Sequence, residues 1–382
     1  MYHPFRHYHI LCILEGYDQQ DLPLDLFLKD YFKARTAVGS KDRPFISDAV
    51  YTIVRWRGLL DYLCESTPDW PKRLDIYLKW DLPTEKKRAD IPLHIRAGFP
   101  KGLFDLIIAS HGAEKGLDIC HKSNTMAPIT IRANTLKTSR EHLIDVWKDK
   151  YRITECSQSK NGITFAQRIN FFELPEFKQG FFEIQDEGSQ LLAELVKVEP
   201  GQLAMDFCAG AGGKTLAFAP QMQNKGQIYL HDIRTHALLD AKKRLRRAGI
   251  QNAQIIEADE AKLKKLKKKM DWVLVDAPCT GTGTMRRNPD MKWKFNEGIL
   301  KEMVSLQRVI FERALSYLKP DGHIVYATCS LLNAENSEQV AHFTKTYGLE
   351  IVGNIFQSTP TPGGMDGFFG VTLKKLPIIV KP

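Results

Sequence analysis

The spacing of apolar residues predicts that the first third of the chain is helical. Over residues 1–124, apolar side chains recur at intervals of three and four, the spacing of one face of an α-helix. Two such stripes comprise Leu24, Phe27, Leu28 and Tyr31, then Ile46, Val50, Ile53 and Val54. Gly39 and Ser40 mark a turn between the stripes, and charged residues crowd the polar faces. We therefore predict a helical domain over residues 1–124.

The pattern changes near residue 125, where alternating and β-branched positions begin. The segment PITIRANTL, residues 128–136, predicts a strand, and Ser139 is placed to cap the helix that follows. The segments GITFAQRI and FFELPEF predict further strands and turns. Residues 125–184 are thus expected to form a small α+β subdomain.

From residue 185 onwards, short apolar runs alternate with helical stretches. A helix, GSQLLAELV, leads in. Five runs then suit strands buried on both faces: LAMDFCA, QIYLHDI, AQIIEAD, WVLVDAPC and HIVYATC. EIVGNIF and FFGVTLKKL add strands near the C-terminus. This alternation is typical of an α/β fold with a doubly wound parallel sheet, so residues 185–382 predict a Rossmann-like domain whose ligands bind beyond the carboxyl ends of the strands.

A glycine-rich turn follows the first of these strands. It comprises Cys208, Ala209, Gly210, Ala211, Gly212, Gly213 and Lys214. A phosphate-binding P-loop needs glycine where Cys208 stands, and a dinucleotide fold needs a fuller GxGxxG pattern than Gly210 and Gly212 supply. The third interpretation is a site for S-adenosylmethionine, which needs a tight glycine turn but no pyrophosphate cradle.

Acidic residues end the next two strands. Asp232 ends the second strand and can accept hydrogen bonds from both hydroxyls of a ribose. Asp259 ends the third strand, where it can accept from an adenine amino group. Each aspartate alone is more simply a helix cap or a turn residue, but their succession after a glycine turn favours a cofactor that contains a nucleoside.

Two cysteines follow the fourth and fifth strands. Cys279 comes three residues after Asp276, and Cys329 ends the fifth strand. A free cysteine is usually a small buried hydrophobe, but two at adjacent strand ends beside an aspartate favour chemistry. A thiolate that adds to carbon 6 of cytosine makes carbon 5 nucleophilic towards a methyl sulfonium. An acid held against ring nitrogen 3 assists this attack, and a second thiol suits the later release of the base.

Charge, cysteine content and hydrophobicity limit the partners, metals and cellular compartment that we expect for this protein. The net charge of +9 is compatible with binding a polyanion but does not require it. The seven cysteines include no CxxC pair, which argues against disulfides and a zinc site, so we expect no metal. No apolar run approaches the roughly 18 residues that cross a bilayer. We therefore expect a cytoplasmic monomer that makes no contact with membranes.

Several motifs together resemble those of one protein family. They are DFCAGAGGKT, DAPCTGTGTMRRNPDMKW, YATCS followed by ENSEQV, DGFF, IRANTLK and QDEGSQL, all between residues 128 and 376. They look like the motifs of the bacterial Sun/Nop, or RsmB-like, family of RNA (cytosine-5)-methyltransferases. The helical region, residues 1–124, is similar to the NusB-like domain that some bacterial members carry, although this match is weaker.

The resemblance implies roles for the residues singled out above. Cys329 is then the nucleophile and Cys279 the thiol for release, while Asp276 faces both cofactor and base and Lys214 helps to orient the base. The implied cofactor pocket consists of Cys208, Ala209, Gly210, Ala211, Gly212, Gly213, Lys214, Asp232, Asp259 and Asp276. Many members have Ala-Pro where this chain has Gly210-Ala211, and loss of the stiff proline is expected to loosen cofactor binding slightly.

Basic residues outside the pocket are candidates for contact with RNA. Arg286 and Arg287 directly follow the Cys279 loop and are placed to hold phosphates beside the target base. Arg132 and Lys137 belong to the α+β subdomain, which the resemblance to the family implies is a surface that binds RNA. The lysine-rich run at 262–269 alternates with leucines at helical spacing, so we interpret it as the solvated face of a helix.

These observations leave several functions open. We expect methylation of cytosine carbon 5 in RNA, with ribosomal RNA as the first candidate substrate and transfer RNA as the alternative. A non-catalytic RNA-binding factor for ribosome assembly is a further alternative, which the intact thiols and acids disfavour. DNA is disfavoured because DNA cytosine-5 enzymes use the Pro-Cys thiol of strand four as nucleophile. A dehydrogenase would rest on the glycine turn alone.

Overall fold

The computed structural model describes residues 4–20, 22–257 and 260–376. Asp259, which the sequence places in the cofactor pocket, lies outside the described residues. The helices are α1 (Pro4–Asp18), α2 (Leu24–Ala34), α3 (Asp42–Arg55), α4 (Arg57–Leu63), α5 (Trp70–Lys79), α6 (Leu82–Glu85), α7 (Leu93–Arg96), α8 (Lys101–His111), α9 (Ala113–Lys122), α10 (Arg140–Trp147), α11 (Pro175–Lys178), α12 (Glu187–Ala193), α13 (Thr215–Phe218), α14 (Thr235–Ala248), α15 (Glu260–Leu266), α16 (Met291–Lys294), α17 (Glu297–Leu315) and α18 (Ser337–Tyr347). The strands are β1 (Ile129–Ala133), β2 (Ile153–Glu155), β3 (Gly162–Phe165), β4 (Phe182–Ile184), β5 (Leu203–Asp206), β6 (Gln227–His231), β7 (Ala253–Ile256), β8 (Met270–Asp276), β9 (Leu318–Thr328), β10 (Leu349–Ser358) and β11 (Phe368–Lys375).

These elements form two compact units. The first comprises residues 1–126 and 284–297, and the second comprises residues 127–283 and 298–382. Within the described ranges, no helix is both long and apolar enough to span a bilayer.

The first unit is helical, as the apolar spacing predicts. The stripe on α2 buries Leu24, Leu28 and Tyr31, and the stripe on α3 buries Ile46, Val50, Ile53 and Val54. Both stripes pack into one core together with Ile13 and Leu14 of α1. Burial of these faces against one another is the main force that keeps such short helices folded.

Residues 284–297 also belong to the helical unit, whereas the sequence places them in the Rossmann-like domain. Lys292 is fully buried there, and its ammonium donates to the carbonyl oxygen of Gly98 at 2.8 Å and to Oδ1 of Asn124 at 2.7 Å. The indole of Trp293 donates to a backbone carbonyl of α3 at 2.6 Å. The segment is therefore held among the helices by buried polar contacts that apolar periodicity does not reveal.

The α+β subdomain lies at the start of the second unit. Its four strands pair antiparallel in the order β2-β3-β1-β4, and α10 packs on them through the buried Trp147. Ser139 accepts a hydrogen bond from the backbone of His142 at 3.2 Å, which confirms it as the N-cap of α10. Strands and turns were predicted for GITFAQRI and FFELPEF: GITF forms β3, and FFELPEF forms helical turns, because Pro175 is preorganised for the first turn of α11.

The rest of this unit is built on a seven-stranded sheet in the order β10-β11-β9-β8-β5-β6-β7. Five strands, from β9 to β7, are parallel, and this confirms the doubly wound core that the sequence predicts. The sheet as a whole is mixed, since β11 runs antiparallel between β9 and β10. The parallel strands therefore bring the glycine turn, Asp232, Asp276 and Cys329 to one edge of the sheet.

Burial on both faces explains why the strands are apolar throughout. On β8, Val273 and Val275 face one core, while Trp272 and Leu274 face the core on the other side. The helices α17 and α18 cover the first of these cores. Successive side chains of a strand point to opposite faces, so a sheet covered on both sides needs continuous apolar runs.

Candidate active site

The cofactor turn leads from β5 into α13. Gly210 and Gly212 adopt left-handed conformations, with φ of 50° and 74°. A Cβ atom on Gly212 would also lie 3.2 Å from the Cβ of Ala241 on α14. Glycine is therefore required at Gly212 both for the turn and for the close approach of a helix.

Asp232 follows β6 and points at this turn. Its Oδ2 atom accepts a hydrogen bond from the backbone of Gly210 at 2.7 Å. Arg234 donates to the same carboxylate from Nε and Nη2, each at 3.0 Å. Burial alone would raise the pKa of Asp232, but the hydrogen bonds from Arg234 and Gly210 lower it below its usual value. The side chain of Arg234 is 59% exposed, whereas that of Asp232 is only 4% exposed.

Asp206, the last residue of β5, is buried directly beneath the turn. Its Oδ2 atom accepts a hydrogen bond from Thr215 at 2.6 Å, while its Oδ1 atom has no partner among the described residues. Burial raises the pKa of Asp206 to about 7, and the hydrogen bond from Thr215 offsets part of this effect. Burial also raises the pKa of the Cys208 thiol, so Cys208 lines the turn as a neutral group. Asp206 is not among the residues that the sequence predicts for the site.

Lys214 and Asp276 form an ion pair at the edge of the sheet. The ammonium lies 2.5 Å from Oδ2 of Asp276, and the lysine side chain is only 11% exposed. Burial lowers the pKa of Lys214, but the charge and hydrogen bond of Asp276 outweigh burial and raise it above its usual value. Cys329 adds to this effect, so lysine, aspartate and thiol act on one another electrostatically.

The two predicted thiols lie side by side. The Sγ atoms of Cys279 and Cys329 are 3.4 Å apart, and both residues are free and partly exposed. The hydrogen bond to Cys329, together with burial, raises the pKa of Cys279 well above its usual value. Cys279 is therefore a protonated thiol at neutral pH.

A buried carboxylate, Glu335, ties the two thiol loops together. Its Oε1 atom accepts from the backbone N–H of Thr280 at 2.8 Å and from Nε2 of Gln307 at 3.0 Å. Its Oε2 atom accepts from the hydroxyls of Thr280 and Ser330, each at 2.5 Å. Thr280 follows Cys279 and Ser330 follows Cys329, so one side chain fixes both loops.

The neighbours of Glu335 strengthen this connection. Asn336 donates from Nδ2 to the carbonyl of Ser330 at 2.8 Å and accepts from the hydroxyl of Thr328 at 2.6 Å. Sequence reasoning assigned no role to Glu335 or Asn336, although both lie within the motif ENSEQV. The signal for both residues is an acid and an amide in a motif shared with the family.

Two of the arginines expected to contact RNA are used inside the protein. Arg286 is 2% exposed within the helical unit, so its guanidinium is not presented to a phosphate. Arg132 is also buried, and it donates to Gln185 at 2.7 Å and to the carbonyl of Leu216 at 2.8 Å. Each guanidinium lies under other side chains, which corrects the expectation that these two arginines bind the RNA backbone.

The other basic candidates remain nearer the surface. Lys137 is exposed, although its ammonium donates to the carbonyls of Gln179 and Arg247 at 2.8 and 2.7 Å. Arg287 is partly exposed. In the lysine-rich run, Leu263 and Leu266 are buried while the lysines are exposed, as expected for an amphipathic helix. Across the described residues, no cluster of histidine, cysteine and acidic side chains could hold a metal ion.

The fold and the cofactor turn define an S-adenosylmethionine-dependent methyltransferase. The turn fits the cofactor because it offers left-handed glycines for close approach and, in Asp232, an acceptor for ribose. Two family models match the chain: "16S rRNA methyltransferase RsmB/F" over residues 193–373, and the RsmF/B-like ferredoxin-like domain over residues 99–171. The chain belongs to the RsmB/F methyltransferase family.

Individual relatives agree with this placement. The chain is 32% identical over 271 residues to ribosomal RNA small subunit methyltransferase B of Serratia proteamaculans. The alignment covers 68% of this chain and 62% of that protein. It is 28% identical to a probable ribosomal RNA small subunit methyltransferase B of Synechocystis, over 75% of this chain and 68% of that protein. A crystal structure of a methyltransferase homolog from Pyrococcus horikoshii is 26% identical, with a TM-score of 0.65, over 74% of this chain and 98% of that one.

Proposed function

We propose that this protein methylates carbon 5 of cytosine in RNA through a covalent adduct with Cys329. The observation that carries the proposal is the 3.4 Å approach of the Cys279 and Cys329 thiols, held beside the Lys214–Asp276 ion pair. A nucleophile, a second thiol and a charged pair at one edge of the sheet are the groups that this reaction needs.

The two thiols divide the reaction between them. The Cys329 thiolate adds to carbon 6 of the base, and the electrons of the 5,6 double bond make carbon 5 nucleophilic. S-adenosylmethionine supplies the electrophilic methyl group. Cys279 loses its proton to solvent, and its thiolate then removes the hydrogen from carbon 5. The electrons of that C–H bond re-form the 5,6 double bond, and the bond between carbon 6 and sulfur breaks to return the Cys329 thiolate. Because the pKa of the Cys279 thiol is raised, its thiolate is a stronger base towards the hydrogen on carbon 5.

Lys214 and Asp276 are proposed to hold the target base. Negative charge develops at ring nitrogen 3 and the adjoining carbonyl when the thiolate adds, and a nearby donor stabilises it. The ion pair places an ammonium next to a carboxylate, so the pair can meet both a ring acceptor and the exocyclic amino group of cytosine. A pair already fixed at 2.5 Å needs little rearrangement when the base arrives.

The relatives favour ribosomal RNA as the substrate, since those aligned above are named ribosomal RNA small subunit methyltransferases. Transfer RNA is the alternative substrate. A non-catalytic assembly factor is disfavoured, because such a factor would not need both thiols, the Lys214–Asp276 pair and the Glu335 clamp. We also propose that the protein acts as a cytoplasmic monomer.

Release of tritium from RNA labelled at carbon 5 of cytosine tests this proposal. Each methylation at carbon 5 must expel one tritium, so release should equal transfer of methyl groups from S-adenosylmethionine labelled with carbon-14. Ribosomal RNA lacking the modification should be a substrate, and a DNA copy of the same sequence should not. Methyl transfer without tritium release would place the methyl group elsewhere and contradict the proposal.

A further inference from the structure

Side chains of the α+β subdomain bind the backbone of the cofactor segment. Nη1 of Arg132, on β1, donates to the carbonyl of Leu216 at 2.8 Å. Nε2 of Gln185, just after β4, donates to the carbonyl of Gly213 at 3.3 Å. Arg132 and Gln185 also bond each other at 2.7 Å. A residue on β1 and the residue that directly follows the subdomain therefore donate hydrogen bonds to the backbone on either side of Lys214.

A third connection runs through α14. Nη1 of Arg244 donates to the carbonyl of Ala211 at 2.8 Å. Nη2 and Nε of the same guanidinium donate to Oε2 of Glu183, on β4, at 3.0 and 3.2 Å. Arg247 pairs with the remaining oxygen of Glu183, which is 4% exposed. Arg244 is thus a bridge between a buried acid of the subdomain and the cofactor turn.

The same subdomain also fastens the end of α14. Asn134 donates to the carbonyl of Ala248 at 2.8 Å, and Lys137 donates to that of Arg247 at 2.7 Å. These carbonyls belong to the last turn of a helix, where acceptors lack partners within the helix. The helix that carries Arg244 is therefore itself held in place.

We propose that the α+β subdomain is a positioning element of the S-adenosylmethionine site, acting through Arg132, Gln185 and the Glu183–Arg244 pair on residues 211–216. The turn depends on left-handed glycines, which gain much freedom when released. Hydrogen bonds to the carbonyls of Ala211 and Gly213 in the turn and of Leu216 in α13 restrict that freedom before the cofactor binds, and preorganisation of this kind raises affinity. The inference deepens the proposed function and rests on its assignment of the cofactor.

Replacement of Arg244 separates this role from others. Arg244→Ala removes the bond to Ala211 and leaves Glu183 short of a partner. Affinity for S-adenosylmethionine, measured by calorimetry on the full chain, should fall about tenfold, equivalent to roughly 1.4 kcal/mol. KM for the cofactor should rise while kcat stays within about twofold, because Arg244 touches neither base nor methyl group. Without cofactor, amide hydrogen exchange over residues 210–217 should accelerate. Affinity for RNA should be unchanged.

Lys243 provides the matched control. It is the preceding residue of α14, its side chain is 79% exposed, and its one ion pair among the described residues is with Asp240. Lys243→Ala should therefore change neither cofactor affinity nor hydrogen exchange. If Arg244→Ala does not fold, Arg244→Lys takes its place, since one ammonium cannot serve Glu183 and Ala211 with the geometry of a fork.

Two results would overturn the inference. The first is a folded Arg244 variant, of lower melting temperature, with unaltered cofactor affinity and unaltered exchange at 210–217, since Arg244 would then be only structural. The second is a loss of RNA affinity with cofactor affinity intact, which would make this an RNA-binding surface. Wild-type protein that binds the cofactor but releases no tritium contradicts the proposed function alone and leaves the comparison of affinities valid.

Discussion

Substitution of Glu335 tests whether a buried acceptor holds the two thiol loops in register. The carboxylate is fully buried and accepts four hydrogen bonds, two from N–H groups and two from hydroxyls. In Glu335→Gln, the amide oxygen can serve the N–H donors of Thr280 and Gln307. The amide nitrogen can serve the hydroxyls of Thr280 and Ser330, because hydroxyls can turn and accept. Every group keeps a partner.

Glu335→Gln and Glu335→Ala should therefore differ in how much they reduce stability and turnover. Glu335→Gln loses charge assistance at four bonds but no longer buries a charge, so we expect a loss of about 1–3 kcal/mol in the free energy of unfolding. Glu335→Ala leaves the N–H groups of Thr280 and Gln307 unpaired and opens a cavity, so we expect about 3–5 kcal/mol. Turnover should follow the same order, because misplacement of a catalytic group by about 1 Å can reduce the rate about 100-fold.

Glu338 supplies a control three residues further on. It is exposed on the first turn of α18, and Glu338→Gln makes the same chemical change outside the network. Urea unfolding gives stability, and single-turnover tritium release gives the chemical step without product release. If Glu335→Ala reacts at the wild-type rate at a temperature where it is folded, Glu335 does not position the thiols. The same conclusion follows if Glu338→Gln is as slow as Glu335→Gln.

Three further substitutions probe the cofactor side of the site. Asp232→Ala should weaken binding of S-adenosylmethionine by about 1–3 kcal/mol because ribose loses its acceptor, whereas Arg234→Ala should not weaken it; equal losses in calorimetry would exclude competition between arginine and ribose. Asp206 has a folded-state pKa of about 7, above its unfolded value, so its protonation stabilises the fold fully below about pH 4 and this contribution is lost as the pH rises through 7. Asp206→Asn should therefore flatten the fall in unfolding free energy between pH 5 and pH 8 by roughly 1–3 kcal/mol, and an unchanged pH profile would show that Asp206 is not the group responsible.

The core of the fold was predictable because the apolar residues of each buried strand show that both of its faces are covered. β5, β6, β8 and β9 are apolar on both faces, and only a sheet covered on both sides requires this. The direction of β11 was not predictable in the same way, because an apolar run is identical whether the strand is parallel or antiparallel. Its antiparallel pairing depends on the path of the chain after α18.

Some residues of the candidate site were likewise predictable from the sequence and others were not. Cys279, Cys329, Asp276 and Asp232 were predictable because strand ends meet at one edge of a sheet. The clamp by Glu335 was not, because it joins residues 55 positions apart through side chains whose partners no local pattern specifies.

The arginines show a related limit. Sequence gives the charge of Arg132 and Arg286 but not whether the guanidinium meets solvent or backbone carbonyls. Both are buried, and Arg132 bonds a carbonyl that lies 84 residues away in sequence. Basic residues near a site are therefore weak predictors of contact with nucleic acid until their burial is known.

The two thiols carry the central claim, and denaturing gel electrophoresis of the two cysteine variants with RNA tests it most directly. Cys279→Ala should still attack carbon 6 and transfer the methyl group, then stall as a protein–RNA complex that survives denaturation. Cys329→Ala should form no such complex and release no tritium, yet bind RNA and S-adenosylmethionine. A stable complex in Cys329→Ala instead would reverse the two roles, and full activity in both variants would contradict the covalent mechanism.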